Sequence, residues 1–221
     1  MAPDADVDLP LAHVHVPPET GADPAPAVVV LHGRGADERD LLPVARSLPD
    51  ALAVVSLRAP APLQGGYTWY DLDLPDGDLH RSQPDAGDFR RSLDLVVESV
   101  DSATDAYGLD PDRIGLLGFS QGAIVSLALL LESPVRYEWV VALHGYLAAS
   151  HADRSPDGIA GNPVFVGAGR GDRVIPASRT AAAAERLRDL DAAVDHGVYD
   201  GGHGIGPAEL DDVVSFVARR V

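Results

Sequence analysis

A serine between two glycines is the pattern in this 221-residue sequence that could best support covalent chemistry. The segment Gly118-Phe119-Ser120-Gln121-Gly122 directly follows the apolar run 114–117 and directly precedes a helical pattern. Where a strand turns sharply into a helix, the positions two before and two after the apex must lack side chains, and glycine meets that need. The spacing therefore predicts Ser120 as a nucleophile at the apex of a strand-to-helix turn. The alternative is that Ser120 only caps the helix.

A serine hydroxyl needs a base, usually a histidine whose second nitrogen is held by a carboxylate. Four of the eight histidines follow Ser120, namely His144, His151, His196 and His203. His196 lies inside a predicted strand, and His144 ends the strand that comes next after the nucleophile, which is too early for a base. His203 follows the last predicted strand among glycines that allow close approach. We predict His203 as the general base, the alternative being an ordinary surface-loop histidine.

The carboxylate that orients this histidine is chosen by position, because 27 aspartates make residue type uninformative. Asp172 lies on the loop 167–174, between a predicted strand and a predicted helix, where the acid of such a triad belongs. Asp200 is the rival, but it lies three residues before His203 on the same short loop. Reaching back to the imidazole from there is awkward. We predict Asp172 as the acid.

Acyl transfer also requires donors for the oxyanion, and backbone N–H groups commonly supply them. One is the amide of Gln121, at the start of the helix after the nucleophile. The second is predicted to be the amide of Arg34, in the glycine-rich turn that follows the first central strand. His32, just before that turn, is expected to shape the loop by hydrogen bonds rather than to transfer protons.

Apolar runs alternating with helical patterns must position these residues, and such alternation is typical of a parallel sheet. The predicted fold class is α/β: a mostly parallel central sheet with helices on both faces, forming one domain over residues 1–221. Predicted strands are Ala27 to Leu31, Ala53 to Leu57, Ile114 to Leu117, Trp139 to Leu143, Pro163 to Val166 and Val194 to Tyr199, with an antiparallel edge strand at His13 to Val16. Predicted helices are Asp37 to Leu48, Phe89 to Tyr107, Gln121 to Leu131, Ala177 to Leu190 and Ala208 to Arg219, with Asp88 as an N-cap and Pro207 as a first helical residue.

The long segment from Arg58 to Gly87 lacks clear periodicity and is rich in Pro, Gly and Asp. Loops of this length are usually functional or disordered. Its aromatic residues favour a packed loop that forms one wall of a substrate site. We therefore predict Trp69 and Tyr70 as substrate-binding residues.

Composition excludes several classes of protein. The chain has 34 acidic and 17 basic residues, all 17 of them arginine, and a net charge of -17. Such a charge opposes binding to nucleic acid or to an anionic membrane. It suits a cytoplasm holding molar salt, where repulsion is screened within about 3 Å, so we expect an extreme halophile.

Residue types and segments that the sequence lacks restrict the expected location of the protein and its possible chemistry. No cysteine is present, which excludes disulfides and a thiol nucleophile. No stretch approaches the roughly 20 apolar residues of a membrane span, and the first residues lack a basic leader pattern, so we expect a cytoplasmic protein without membrane insertion. Hydrolysis by a serine needs no cofactor, and none is expected. We expect no metal either, because His13 and His15 share a strand face but lack a third ligand.

Together the motifs resemble the phospholipase/carboxylesterase family of α/β-hydrolases, which includes acyl-protein thioesterases and small bacterial carboxylesterases. The resemblance covers most of the chain in order and implies Ser120 as nucleophile, Asp172 as acid, His203 as base, and oxyanion amides from Arg34 and Gln121. The matching segments are LHGRGAD at 31–37, TWYD at 68–71, GFSQGA at 118–123, GYL at 145–147, GDRVIP at 171–176 and GGHGIGPAEL at 201–210.

Two departures from the family pattern are expected to reshape the pocket. The family usually has a histidine-glycine pair shortly before the acid, where this chain has Gly167-Ala168-Gly169. The family also commonly has a small residue before Gly145, where this chain has His144. Neither departure removes a member of the triad.

The predicted function is a serine carboxylesterase that hydrolyses short- to medium-chain carboxylic esters through an acyl-enzyme at Ser120, with a small-molecule ester as its partner. An acyl thioesterase or lysophospholipase is the alternative with the same chemistry. A catalytically silent α/β-hydrolase that binds a small ligand is the alternative from another class, although such proteins usually lose the serine or the histidine. Family members often form homodimers, and a homodimer is an open expectation here.

Overall fold

A seven-stranded sheet runs through the centre of the molecule, for which a computed structural model describes residues 7–221. Its strands and those of two small hairpins are β1 (His13–Val16), β2 (Ala25–Leu31), β3 (Ala53–Leu57), β4 (Ala61–Leu63), β5 (Gly66–Thr68), β6 (Leu72–Asp73), β7 (Gln83–Pro84), β8 (Leu109–Phe119), β9 (Trp139–Leu143), β10 (Pro163–Gly169) and β11 (Ala193–Tyr199). The large sheet has the order β1-β3-β2-β8-β9-β10-β11. Only β1 pairs antiparallel in it, so the other six strands direct their carboxyl ends to one edge.

Helices cover both faces of this sheet. They are α1 (Leu42–Ala45), α2 (Ala86–Tyr107), α3 (Gln121–Glu132), α4 (Ala149–Ala152), α5 (Ala177–Asp189) and α6 (Pro207–Ala218). Val29 and Leu31 of β2 point to the core packed by α2, α3 and α5, whereas Val28 and Val30 point to the core packed by α1 and α6. This alternation is the two-residue period of a strand buried on both faces. Within the described residues, no helix is both long enough and apolar enough to cross a membrane.

The predicted fold class is confirmed, and each predicted strand is present with the same core residues. β3 and β9 have the predicted bounds, and so does the antiparallel edge strand β1. β8 begins earlier than expected, at Leu109, because its first residues pair with β2 at Ala25 before a register shift. Continuous apolar runs locate the strand centres well, whereas strand ends depend on pairing partners.

The helix predicted from Asp37 to Leu48 is wrong over most of its length, since only Leu42–Ala45 is α-helical. Pro43 occupies the first turn of this short helix, which is the position where a missing N–H is tolerated. Upstream, the Asp37 side chain accepts a hydrogen bond from the Arg39 amide at 2.9 Å. This side-chain turn replaces the helical bonding that the apolar spacing suggested.

The start of α2 also differs from the prediction. The helix begins at Ala86, and the Asp85 carboxylate caps it by accepting hydrogen bonds from the amides of Gly87 and Asp88, both at 3.0 Å. Asp88 therefore lies inside the first turn, where an acid still interacts favourably with the helix dipole. Pro207 does open α6 as predicted.

The segment 58–87 is packed only in part, since residues 68–70 are buried and residues 73–81 are largely exposed. Its first hairpin is joined to the turn after β2. The Gly35 amide donates to the Tyr67 carbonyl at 2.7 Å, and the Tyr67 amide donates to the Ala36 carbonyl at 2.8 Å. A Cβ on Gly66 would lie 2.1 Å from the Gly35 carbonyl oxygen, so only glycine allows this approach. The loop predicted to form a wall thus holds the turn that contains Arg34.

Candidate active site

Ser120 lies at the tight turn between β8 and α3. Its φ of 54° and ψ of -115° are strained for a residue with a side chain. A Cβ on Gly118 would lie 2.3 Å from the Gly122 carbonyl oxygen, and a Cβ on Gly122 would lie 2.0 Å from the Leu31 carbonyl oxygen. The two glycines are therefore required, as the spacing predicted, and they force the serine to the apex of the turn.

Three side chains from the carboxyl edge of the sheet form a line of hydrogen bonds. Ser120 Oγ lies 2.9 Å from His203 Nε2, and His203 Nδ1 lies 2.7 Å from Asp172 Oδ2. Asp172 lies on the loop after β10, and His203 lies on the loop after β11. With Nδ1–H donating to the carboxylate, Nε2 is free to accept the serine proton. The structure thus brings together the three residues predicted as nucleophile, base and acid.

Asp172 is held as a carboxylate by its surroundings. Its Oδ1 accepts hydrogen bonds from the amides of Val174 at 2.8 Å and Ile175 at 2.9 Å. Burial alone would raise the pKa of Asp172, but hydrogen bonds from His144, His203 and the two amides outweigh burial and lower it. The acid therefore stays ionised at neutral pH and can stabilise a protonated His203.

The rival acid lies elsewhere. The Asp200 side chain is 94% exposed and forms an ion pair with Arg170 at 3.0 Å. Its carboxylate has no hydrogen bond to His203 among the described residues. An exposed ion pair of this kind contributes little to stability or orientation.

His144, which the sequence interpretation set aside as a base, is nevertheless part of the site. Its side chain is fully buried, and its Nδ1 lies 3.0 Å from Asp172 Oδ2 while its Nε2 lies 3.2 Å from Glu209 Oε2. Sequence reasoning named His144 only as a residue that would reshape the pocket, whose lining it does not join, and it missed Glu209. One signal was available: Glu209 shares the inward face of α6 with Val213, Phe216 and Val217, at helical spacing.

An apolar cavity of about 270 Å³ opens beside the nucleophile. Tyr70 lines it, whereas Trp69 does not and is buried beneath the loop, where its Nε1–H donates to the His32 carbonyl at 2.8 Å. Of the two residues predicted to bind substrate, only Tyr70 therefore lies in the cavity wall, and its side chain is fully buried there. The lining is formed by Arg34, Tyr70, Leu72, Leu79, Ser82, Ser120, Gln121, Ile124, Tyr146, Val174, Ile175 and His203.

The two residues predicted to supply oxyanion amides, Arg34 and Gln121, line this cavity together with Ser120. The Gln121 side chain links the nucleophile helix to the long loop, accepting from the Trp69 amide at 3.1 Å and donating to the Tyr70 carbonyl at 2.9 Å. The residue after the nucleophile and the loop segment 68–71 are therefore one structural unit.

His32 supports the turn that contains Arg34. Its Nε2 accepts from the Ala59 amide at 3.1 Å, so Nδ1 carries the proton and donates to the Gly33 carbonyl at 2.7 Å. Burial lowers the pKa of His32, which keeps the ring in this neutral form. These bonds fit the loop-shaping role expected from the sequence.

His144, Asp172 and His203 also form a cluster whose ligand-type atoms all lie within 4.8 Å of one another. Both imidazole Nδ1 atoms, however, lie at hydrogen-bond distance from the same carboxylate oxygen, 2.7 and 3.0 Å away. A metal here would occupy the atoms that orient His203. We therefore interpret the cluster as a hydrogen-bonded network.

Comparisons with known proteins identify the family of this chain. Acyl-protein thioesterase 1 of Gibberella zeae is 30% identical over 164 residues, covering 69% of this chain and 68% of its own. A Bacillus cereus carboxylesterase structure superimposes with a TM-score of 0.84 at 23% identity, covering 96% of this chain and 95% of the other, and shares the fold. The structure of esterase PE8 has a TM-score of 0.80 at 27% identity, covering 96% of this chain and 99% of the other. The family model described as Phospholipase/Carboxylesterase matches residues 15–220, and the chain therefore belongs to this family of α/β-hydrolase-fold serine hydrolases.

Proposed function

We propose that the protein is a carboxylesterase that hydrolyses short- to medium-chain esters through an acyl-enzyme on Ser120. The observation that carries the proposal is the line of hydrogen bonds from Asp172 through His203 to Ser120 Oγ. Ser120, at the end of this line, faces an apolar cavity. A hydroxyl in this arrangement loses its proton to the imidazole as it attacks, which makes it a nucleophile at neutral pH.

The reaction follows from these positions. Ser120 Oγ attacks the ester carbonyl carbon while His203 Nε2 takes the serine proton, and the amides of Arg34 and Gln121 are proposed to stabilise the oxyanion. The C–O bond to the alcohol then breaks, and His203 returns the proton to the leaving alkoxide. A water molecule then attacks the acyl carbon while His203 takes its proton. The bond from the acyl carbon to Ser120 Oγ breaks, His203 returns the proton to Ser120 Oγ, and the carboxylic acid leaves.

The preference for short to medium acyl chains is supported by the size and lining of the cavity. Its volume of about 270 Å³ lies at the small end of ligand pockets, which commonly measure about 300 to 1,000 Å³. Side chains such as Leu72, Ile124 and Ile175 favour an alkyl group over a charged one. We propose that Tyr70 contacts this group and that Trp69 supports the loop from below.

An acyl thioesterase is the second candidate, favoured by the relatives named acyl-protein thioesterase 1. The same triad attacks a thioester carbonyl, and only the leaving group differs. Matched ester and thioester substrates with the same acyl chain separate the two. A higher kcat/KM on the thioester at every chain length would favour the thioesterase.

The proposal is tested by labelling and by turnover. A fluorophosphonate probe should label Ser120, as located by mass spectrometry, and p-nitrophenyl esters of two to twelve carbons should show a kcat/KM optimum below about eight. Ser120→Ala and His203→Ala should each remove nearly all turnover, and the double variant should be no worse, because the pair acts as a unit. Binding of an ester without labelling or turnover would instead indicate a silent ligand-binding protein.

A further inference from the structure

The catalytic acid has a second histidine bound to it. Asp172 Oδ2 receives His203 Nδ1 at 2.7 Å and His144 Nδ1 at 3.0 Å, and the two imidazole rings meet edge to face with centroids 5.5 Å apart. On its far side, His144 Nε2 lies 3.2 Å from Glu209 Oε2. The triad is thus continued by two buried ionisable groups that the proposed reaction does not use.

The backbone is shaped to admit these two groups. His144 has a φ of 54°, a left-handed conformation that is uncommon for a residue with a side chain, and its amide donates to the Gly167 carbonyl at 2.8 Å. A Cβ on Gly167 would lie 2.1 Å from Glu209 Oε1, so the Glu209 carboxylate occupies the space that a side chain would need. Local strain at His144 and the bare backbone at Gly167 together make room for the contact between the imidazole and Glu209.

The proton positions follow from the partners. Asp172 is ionised, so His144 must carry a proton on Nδ1 in order to lie against its oxygen. Burial alone lowers the pKa of His144, but the hydrogen bonds to Glu209 and Asp172 outweigh it, and the pKa is raised. The raised pKa favours the imidazolium form of His144, whose two ring nitrogens face Asp172 and Glu209.

The groups that face this imidazolium come from four places. They are Asp172 on the loop after β10, His203 on the loop after β11, Glu209 on α6, and the uncharged ring of Phe119 on β8 at 5.4 Å. Asp212, also on α6, is directed instead to the Tyr199 hydroxyl at 2.7 Å.

We propose that His144, held by Glu209, is a positioning residue that fixes Asp172 against His203 and places a further proton donor beside the base. A further charged donor on Asp172 makes that carboxylate a weaker base, and a cation 5.5 Å from the His203 ring opposes a second positive charge there. Removing His144 should therefore move the acidic limb of the pH–rate profile upward. Only the kinetic part of the test of this inference rests on the proposed hydrolase function.

The test measures kcat/KM against pH for the unchanged protein, His144→Ser, Glu209→Gln and the control Asp212→Asn. His144→Ser should move the acidic limb of the kcat/KM profile to higher pH by roughly half a unit or more, and should lower kcat about tenfold. Glu209→Gln keeps a hydrogen-bonding partner but removes the counter-ion, so it should shift the acidic limb in the same direction by less and lower kcat by less than His144→Ser does. Asp212→Asn removes the same charge from α6 without contacting His144, and should shift nothing.

A direct titration separates this inference from the esterase proposal. The ring C–H resonances of His203, followed by NMR, report its protonation whether or not any ester is cleaved, and they should show the same upward shift in both variants. Two downfield Nδ1–H signals are expected in the unchanged protein and one in His144→Ser. An acidic limb and a His203 titration that stay fixed in Glu209→Gln would overturn the proposal, even if His144→Ser fails to fold.

Discussion

Asp172 is the proposed acid that orients His203, and its contacts differ sharply from those of Asp200. Asp172→Asn should leave the fold intact and lower kcat by about three to four orders of magnitude, because the amide favours the wrong tautomer of His203 and does not stabilise the imidazolium. Asp200→Asn removes only an exposed ion pair to Arg170 and should change kcat less than about twofold. Rates on p-nitrophenyl butyrate check both variants. A larger loss in Asp200→Asn would mean that the acid is misassigned.

The buried Glu38 carboxylate makes an acid-sensitive contribution to stability. Arg58 binds it through Nε at 2.6 Å and Nη2 at 2.7 Å, and this pair lowers the pKa of Glu38 to about 2. A lowered pKa means that the stabilisation is complete above the ordinary value of 4.5 and is lost as pH falls towards 2.

Glu38→Gln should therefore lower the free energy of unfolding at pH 7 by about 1 to 3 kcal/mol. The difference from the unchanged protein should shrink as the pH falls from 5 to about 2, because Glu38 itself is then protonated. Chemical unfolding across that pH range in constant salt measures it. Exposed Glu185→Gln is the control, and an equal loss in that variant would argue against the pair.

The triad was predictable from the sequence, whereas the network behind it was not. Ser120 and His203 lie in glycine-rich turns whose spacing is local, so each can be recognised without the fold. The contact between His144 and Glu209 joins residues far apart in the chain, and it depends on α6 packing across β10 and β11. An acidic residue on the apolar face of a helix is the sequence signal that its carboxylate is buried and needs a partner.

At the level of elements, the strand-to-helix turn of β8 and α3 offers a matched test. Gly122 and Gly87 are each the second residue of a helix. A Cβ on Gly122 would meet the Leu31 carbonyl oxygen at 2.0 Å, whereas one on Gly87 would meet only Asp85 Oδ1 at 3.4 Å. Gly122→Ala should destabilise the protein by at least about 3 kcal/mol, and Gly87→Ala should be neutral or slightly stabilising. Thermal melts of both variants compare them, and equal melting temperatures would contradict the steric account.

The elements themselves were predictable to the extent that burial dictates them. Strands such as β3 and β9 are buried throughout and apolar except for Ser56, because helices cover both faces, and composition alone reveals that. The short helix α1 was not predictable from apolar spacing, because Pro43 and the Asp37 side-chain turn decide the backbone there. Local polar chemistry outweighed the hydrophobic pattern at that point.

At the level of the whole molecule, the net charge of -17 is the dominant feature. Two carboxylates about 10 Å apart in water repel by roughly 0.4 kcal/mol before screening. Many such pairs among 34 acidic residues can together rival the stability of an ordinary domain, about 5 to 15 kcal/mol. At about 1 M salt the screening length falls to about 3 Å, and these repulsions nearly vanish.

We therefore propose that folding and activity require molar salt. The melting temperature and the esterase rate should rise together as salt increases from about 0.1 to 4 M, the range over which screening becomes complete. Sodium and potassium chloride should act alike, and a sulfate salt should act more strongly because it also strengthens apolar burial. An unchanged melting temperature and full activity at the low end would refute the halophile proposal and leave the hydrolase assignment untouched.

The joining of the long loop to the catalytic turns limits how this enzyme can be redesigned or can diverge. The Tyr67 backbone pairs with the turn at 33–36, and the Gln121 side chain binds the backbone at Trp69 and Tyr70. The pocket wall therefore cannot be exchanged independently of the two catalytic turns. A graft of residues 58–87 from a homologue would need to bring the matching turn and the residue after the nucleophile with it, so new specificities should arise by joint inheritance of three separate stretches of chain.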